Sequence, residues 1–308
     1  MPFKGTKTVS LGKLTWMDVQ NPSPVLLEKL KSNYGFHELD VEDCLSEHQR
    51  AKIDEYDDYL FIILHIPYFD KRKGRIVSEE VDIFIQAGMI ITVHWGGLKV
   101  LTDMFEKAQS SAAFRKEVMS HESGFLLYEV VDQLYSSAFP ILDKIERNVT
   151  GLEKDVFSLS QQHDMLREIL TTKKNIITFR RLIAPQRTVI AQIEHKNQKF
   201  LPDSLEIYFD DVVDKVEKMW SSLENLKDLI ESLQDTNESI ISHTTNNVIK
   251  ILTIFSVVML PLTFLTGLYG MNVSLPLAGN DSIFFMIAGV MVGVVLTMLG
   301  YFKFRRWI

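Results

Sequence analysis

The chain has 308 residues, 46% of them hydrophobic, with one cysteine and a formal net charge of −7. At roughly 100–200 residues per domain, this length allows two or three structural units and a sizeable core. The composition excludes a disordered chain, Cys44 alone excludes a disulfide scaffold, and 40 acidic against 33 basic residues argue against a nucleic-acid binder. The mean hydropathy of +0.04 hides a segregation. Ile251–Ile308 contains only Asp281, Lys303, Arg305 and Arg306 as charged groups, whereas the preceding residues are rich in charge. The opening Met1-Pro2-Phe3-Lys4-Gly5 has no apolar stretch, so no signal peptide is expected.

Residues 1–95 read as mixed α/β structure. Leu14–Val19 has the pattern of a strand, and Pro24–Asn33 that of a helix opening at Ser23-Pro24. Tyr59–Ile66, Val77–Ile85 and Met89–His94 are β-branched and aromatic runs punctuated by Gly74 and Gly88, which suits hairpins. Beyond about Leu98 the strand signal fades. Phe125–Leu159 and His163–Lys199 have helical periodicity and predict two antiparallel helices. A last helix is expected to begin near Pro202-Asp203 and to meet no stop before Gly267, a span of about 65 residues or roughly 100 Å.

That helix carries two heptad tracks. The apolar one runs Leu205, Phe209, Val212, Val216, Met219, Leu223, Leu226, Ile230, Leu233 and resumes at Ile240, a spacing that demands a helical partner. One residue behind it, a polar track runs Asp211, Asp214, Lys218, Ser221, Asn225, Asp228, Ser232, Asp235, Ser239, Ser242, Asn246. At the same spacing it continues as Ile249, Thr253, Ser256, Leu260, Thr263, Gly267, Gly270.

Ile251–Leu268 and Ser282–Phe302 are uncharged runs of 18 and 21 residues. Each is long enough to cross a hydrocarbon core of about 30 Å, the alternative being a buried hairpin of a soluble protein. Lys250 precedes the first run and Lys303, Arg305 and Arg306 follow the second, while Tyr269–Asp281 holds neither Lys nor Arg. The positive-inside tendency therefore puts both ends in the cytoplasm, as for a multi-pass protein of the cell (inner) membrane. Gly289 and Gly293 form a small-xxx-small pair suited to close helix approach. Polar positions at membrane depth face a bundle interior or a water-filled path. The polar track is thus either a solvated outer face or, in a symmetric oligomer, the lining of a central pore.

At the outer end of the first span stands Tyr269-Gly270-Met271-Asn272, preceded by Pro261-Leu262-Thr263-Phe264. With Glu42-Asp43, His48-Gln49-Arg50 and the tail Tyr301-Phe302-Lys303 through Trp307, the chain resembles, over essentially its full length, the CorA family of divalent-cation channels. The resemblance implies a homopentameric channel for Mg²⁺, with Co²⁺ or Ni²⁺ also accepted, and a cytoplasmic funnel of α/β domains, each tied to a stalk helix that lines the pore. It implies Gly270, Met271 and Asn272 as selectivity filter, although a helix C-cap is the plainer role of a Gly-x-Asn. The pore would be lined by Asn246, Ile249, Leu252, Thr253, Ser256, Leu260, Thr263 and Gly267, with Asp235 as an acidic ring within the funnel. Lys303, Arg305 and Arg306 would surround the cytoplasmic mouth. Regulatory Mg²⁺ would bind between protomers at Asp43 and Asp211, with Glu42, Asp210 and Asp214 as further candidates. From Asp203 to Glu238 the stalk holds 11 acidic residues against three lysines, so packed stalks need counter-ions.

On this reading the units are an α/β domain over 1–120, a helical pair over 121–200, a stalk and first span over 203–269, an outer loop over 270–282, a second span over 283–302 and a basic tail over 303–308. One departure is notable. The acidic outer-loop motif of many members is replaced by Val273–Asn280, with Asp281 as the sole acid. The zinc-transporting branch of the superfamily is an alternative, disfavoured because it generally carries Gly-Val-Asn.

An enzyme is not indicated. Eight scattered histidines show no metal-ligand spacing, and no phosphate-binding or dinucleotide loop is present, so neither nucleotide nor nucleic acid is an expected partner. Asn148-Val149-Thr150 would accept a glycan only in a secreted context. A membrane-anchored coiled-coil scaffold explains the heptads and the acidity, but not the polar track at membrane depth.

Overall fold

A computed structural model of the chain describes residues 6–46, 49–156, 162–195, 203–272 and 282–307. The outer-loop segment after Asn272, together with His48 and Pro202, lies outside the described residues. The chain divides into two compact units, Met1–Gln234 and Asp235–Ile308.

The first unit opens with strands β1 (Thr6–Leu11) and β2 (Leu14–Gln20). Helices α1 (Pro24–Tyr34) and α2 (Glu38–Asp43) follow, then β3 (Lys52–Glu55), β4 (Leu60–Asp70), β5 (Arg75–Gln86) and β6 (Met89–His94). The strands form one six-stranded sheet in the order β1-β2-β6-β5-β4-β3, antiparallel except for the parallel β2–β6 pair. That parallel pair needs the long excursion between β2 and β6, which returns through three antiparallel strands. Leu60–Leu64 of β4 are all fully buried, as in a strand covered on both faces. On one face Met17, Val19, Phe61, Phe84 and Ile91 pack with Leu26, Leu27, Leu30 and Val41 of α1 and α2. On the other, Trp16 meets the edge of Phe105 at 4.9 Å.

Capping explains α1 closely. The Ser23 side chain accepts from the Leu26 N–H, Pro24 opens the helix, and Gly35, at φ 74°, ends it in the left-handed conformation that costs glycine least. Helix α2 is set in place by a buried carboxylate. Tyr59 and Tyr56 donate to Asp40 at 2.6 and 3.1 Å, while the His37 N–H donates to the Tyr59 hydroxyl at 2.7 Å.

After β6 come α3 (Lys99–Ser110), α4 (Ala112–Met119), α5 (Ser123–Ser136), α6 (Phe139–Asp155) and α7 (Gln162–His195). The helix expected over Phe125–Leu159 is therefore two helices, a correction to the antiparallel pair read from the sequence. Pro140 is the cause, because it sits in the first turn of α6, where its missing N–H is harmless, and cannot continue α5. Helix α7 lends two side chains to the sheet. Gln186 is buried, accepts from the His65 N–H at 3.0 Å and donates to the His65 carbonyl at 2.7 Å, replacing a strand partner where β3 has ended. Asn175 accepts from the Ile76 N–H of β5 at 3.0 Å.

A short 3₁₀ turn, Asp203–Leu205, leads into α8 (Glu206–Tyr269). Its apolar track from Leu205 through Leu233 is buried at every position. The partner demanded by the heptads lies in the same chain, since Met165, Ile169, Ile176, Phe179, Ile183, Ile190 and Ile193 of α7 are buried at matching spacing. Antiparallel ion pairs fix the register. Arg187 binds both Glu217 oxygens at 2.6 and 2.8 Å, Arg180 Nε meets Glu224 at 2.7 Å, and Lys173 meets Glu231 at 3.5 Å. The guanidinium groups of Arg180 and Arg187 lie 5.2 and 4.9 Å from the ring of Trp220.

The second unit holds the remainder of α8 and helix α9 (Ser282–Phe304). Both are long and apolar enough to cross a membrane. Their large side chains are open: Leu252, Phe255, Leu260 and Phe264 of α8 and Phe284, Phe285 and Leu296 of α9 are each more than 60% exposed. A buried hairpin of a soluble protein would cover these groups, so that alternative is set aside.

Candidate ion pathway and cation sensor

The polar track of α8 is open along its whole course. Every position from Asp211 through Asp235 and Asn246 to Gly270 is exposed, including Ile249, Thr253, Ser256, Leu260, Thr263 and Gly267. Leu252, one turn from the track, is exposed as well. The hydroxyls at membrane depth are not waiting for an external partner. Thr253 Oγ1 donates to the Ile249 carbonyl at 2.8 Å and Thr263 Oγ1 to the Met259 carbonyl at 2.9 Å. Such back-bonding satisfies the donor while leaving both lone pairs of the oxygen free to accept from water. Pro261 within α8 supplies no N–H, so the carbonyl of Val257 lacks its helical donor.

The helix ends at Gly270, whose N–H donates to the Thr266 carbonyl at 2.9 Å. A Cβ there would lie 2.9 Å from that same oxygen, so the close turn requires glycine. Tyr269, Gly270, Met271 and Asn272 are all exposed. At the other end of α9 the backbone turns at Arg306, and Trp307 folds back to stack on buried Phe302 at 5.7 Å. Lys303, Arg305 and Arg306 remain exposed, and Lys250 Nζ reaches the Arg306 carbonyl at 3.5 Å. The four cations thus gather at one level of the helix pair.

The sensor candidates sit in the first unit. Asp43 closes α2, which the Asp40–tyrosine network positions, and its Oδ2 lies 2.7 Å from Lys52 Nζ. Asp211 is exposed on α8, 2.7 Å from Lys215 Nζ. Asp210 and Asp214 are also exposed. Among the described residues no three His, Cys, Asp or Glu side chains of one chain converge to hold a metal ion. A divalent ion on Asp43 or Asp211 would need ligands from a second copy or from water.

Behind Asp43 lies a buried acidic group that sequence reasoning missed. Asp82 and Glu80 stand two residues apart on β5, on one face. Burial pushes the Asp82 carboxyl well up, and the Glu80 charge adds to this; the Cys44 thiol hydrogen-bonds to Asp82 and is itself pushed up by burial. Oδ1 of Asp82 has no hydrogen-bond partner. Glu80 is raised to about 7, first by burial and then by the charge of Asp43. His65 Nε2 lies 3.6 Å from Glu80 but donates to the Gln49 carbonyl at 2.8 Å, and burial lowers its pKa. The only sequence signal was the acidic interruption Glu79-Glu80-Val81-Asp82 in an otherwise apolar strand.

An α/β domain precedes a long helix that runs on as the first of two apolar helices, and an exposed polar track on that helix leads to a glycine turn, the architecture of a membrane protein with two candidate spans. The sequence profile of the CorA-like Mg²⁺ transporter proteins matches residues 12–306, and the chain belongs to that family of divalent-cation transporters. It is 26% identical to the cobalt/magnesium transport protein CorA of Thermotoga maritima over 311 residues, covering 100% of this chain and 86% of that protein. It is 28% identical to the putative metal ion transporter YfjQ of Bacillus subtilis, covering 95% and 89%. The complete structure of the CorA magnesium transporter from Methanocaldococcus jannaschii superposes with a TM-score of 0.82 at 23% identity, covering 97% and 94% of the two chains, which shows the shared fold. The family is one of transporters, not of enzymes.

Proposed function

We propose that the protein is a homopentameric channel that admits Mg²⁺ to the cytoplasm and closes when cytoplasmic Mg²⁺ binds between its protomers. The observation that carries this reading is the unbroken exposed track on α8, which runs from Asp211 to Gly270 and ends beside Asn272. A track exposed in one copy is the surface that copies of the chain can turn toward a common axis. Five is the number the family resemblance implies.

Mg²⁺ gives up its water reluctantly, so a selective mouth holds the hydrated ion. A ring of Asn272 carboxamides offers neutral oxygens to first-shell waters and keeps binding weak enough for release. Met271 and Gly270 complete the filter. Below it, Thr263, Ser256, Thr253 and Asn246 supply oxygens, with Gly267 leaving width, while Leu260, Leu252 and Ile249 form apolar constrictions that gate by dewetting. Asp235 concentrates cations on the cytoplasmic side. The domain limits drawn from the sequence follow these roles. Both termini lie in the cytoplasm of an inner-membrane protein, where Lys303, Arg305 and Arg306 meet the lipid headgroups.

Closure follows from charge. Packed acidic stalks repel one another, and Mg²⁺ on Asp43 and Asp211, assisted by Glu42, Asp210 or Asp214, holds them together; loss of the ion frees the ring to open. Co²⁺ and Ni²⁺, similar in size and hydration, are further substrates. Uptake into proteoliposomes under a Mg²⁺ gradient, at low internal Mg²⁺, tests the reading. Flux abolished by Asn272→Ala is expected, and absence of flux in the unaltered protein would sink it.

A further inference from the structure

Both carboxylates of the proposed sensor are held by lysines of their own chain, in two arrangements of the same kind. Lys52 lies 2.7 Å from Asp43 and also pairs with Asp54. Lys215 lies 2.7 Å from Asp211 and also pairs with Asp132 of α5. In each case one ammonium is shared by two carboxylates, one assigned to the sensor and one not. Both lysines are seated, Lys52 with Nζ 5.3 Å from the ring of Phe61 and Lys215 about a quarter exposed between α8 and α5.

An ammonium at 2.7 Å occupies a lone pair that a cation or its bound water would use, and its charge repels an approaching divalent ion. Charge counting gives the arrangement a purpose. Asp43, Asp54 and Lys52 together carry −1, as do Asp132, Asp211 and Lys215. Two such groups meeting from adjacent copies total −2, and Glu42, Asp210 and Asp214 nearby add further negative charge, so a divalent cation is favoured over a monovalent one at this place.

We infer that Lys52 and Lys215 are the resident counter-ions of the sensor and set the Mg²⁺ concentration at which the transporter closes. When Mg²⁺ arrives, each ammonium withdraws to its second carboxylate, Asp54 or Asp132, and so stays paired. The exchange is one cation for another, with no proton released. This inference rests on the reading of Asp43 and Asp211 as regulatory ligands.

The test is limited proteolysis of the full-length protein in detergent, titrated with MgCl₂ at fixed ionic strength. Lys52→Met and Lys215→Met should each lower the half-protective Mg²⁺ concentration about two- to five-fold, the range expected for a partly exposed ion pair. Lys52→Arg and Lys215→Arg keep the charge and should hold the midpoint. Lys→Gln at either position reads the same quantity should methionine impair assembly. A merely structural role would loosen the fold and move the midpoint up. Midpoints unchanged or raised in the neutral variants overturn the inference, and the ligand reading survives if Asp43→Asn with Asp211→Asn still loses protection. If that double variant keeps the original midpoint, the ligand reading and the inference fall together.

Discussion

Replacing Glu80 by Gln should stabilise the protein, and only above about pH 5. Its side chain is 12% exposed on β5, and burial, followed by the Asp43 charge, raises its pKa from 4.5 to about 7. In the unfolded chain the carboxyl ionises near its ordinary value, whereas in the folded chain it holds its proton to about neutrality. Between those limits the folded state binds more protons, so stability falls as pH rises through that window and is level above it. Carried wholly into stability, the rise from 4.5 to about 7 corresponds to roughly 3 kcal/mol as a ceiling. Glutamine is neutral throughout and escapes this loss. At about 2 °C per kcal/mol for a chain of this size, Glu80→Gln should raise the apparent melting temperature by up to about 6 °C at pH 8. At pH 4.5 the two proteins should coincide. Thermal unfolding of full-length protein in detergent, followed by tryptophan fluorescence with EDTA present, measures both points. An equal shift at both pH values, or a variant less stable at pH 8, would refute the reasoning.

Other consequences are as direct. Leu223→Ala opens a cavity where α8 packs in the first unit at a fully buried position and should cost about 2–5 kcal/mol in denaturant unfolding. Leu260→Ser wets a proposed constriction and should raise Mg²⁺ flux at internal Mg²⁺ concentrations that close the unaltered channel; flux equal to the unaltered protein counts against a dewetting gate there. Asp43→Asn with Asp211→Asn should raise the Mg²⁺ concentration needed for protease protection by ten-fold or more, and an unmoved midpoint removes both from the sensor.

The long helix was legible because one chemical constraint, a 3.5-residue repeat, runs uninterrupted from Leu205 to Leu233 and its partner track occurs on α7. The two spans were legible for a similar reason, since a run free of charge is a local property. The central strands were read to within a few residues from their β-branched runs. What escaped depends on partners distant in sequence. β1 and β3 are short edge strands of mixed polarity, stabilised by pairing with β2 and β4. The break between α5 and α6 hangs on Pro140, which the helical periodicity on either side concealed. Lys52 and Lys215 meet Asp43 and Asp132 across elements, so no spacing rule shows those pairs. The burial of Glu80 and Asp82 depends on the fold setting Asp43 and Cys44, distant in sequence, beside them. Gln186 completes the edge of β4 from a helix, 121 residues beyond His65, a pairing that helical periodicity does not show.

Mg²⁺ is proposed to pass along the polar track of α8. Cys44 is the only native cysteine and is buried, so new cysteines on α8 can be modified selectively. Uptake by Thr253→Cys, Ser256→Cys and Phe255→Cys channels, at low internal Mg²⁺, is measured before and after a cationic methanethiosulfonate reagent. Flux should be blocked at Thr253 and Ser256 and spared at Phe255, which lies off the track. Block at Phe255 with none at Thr253 or Ser256 would contradict the account.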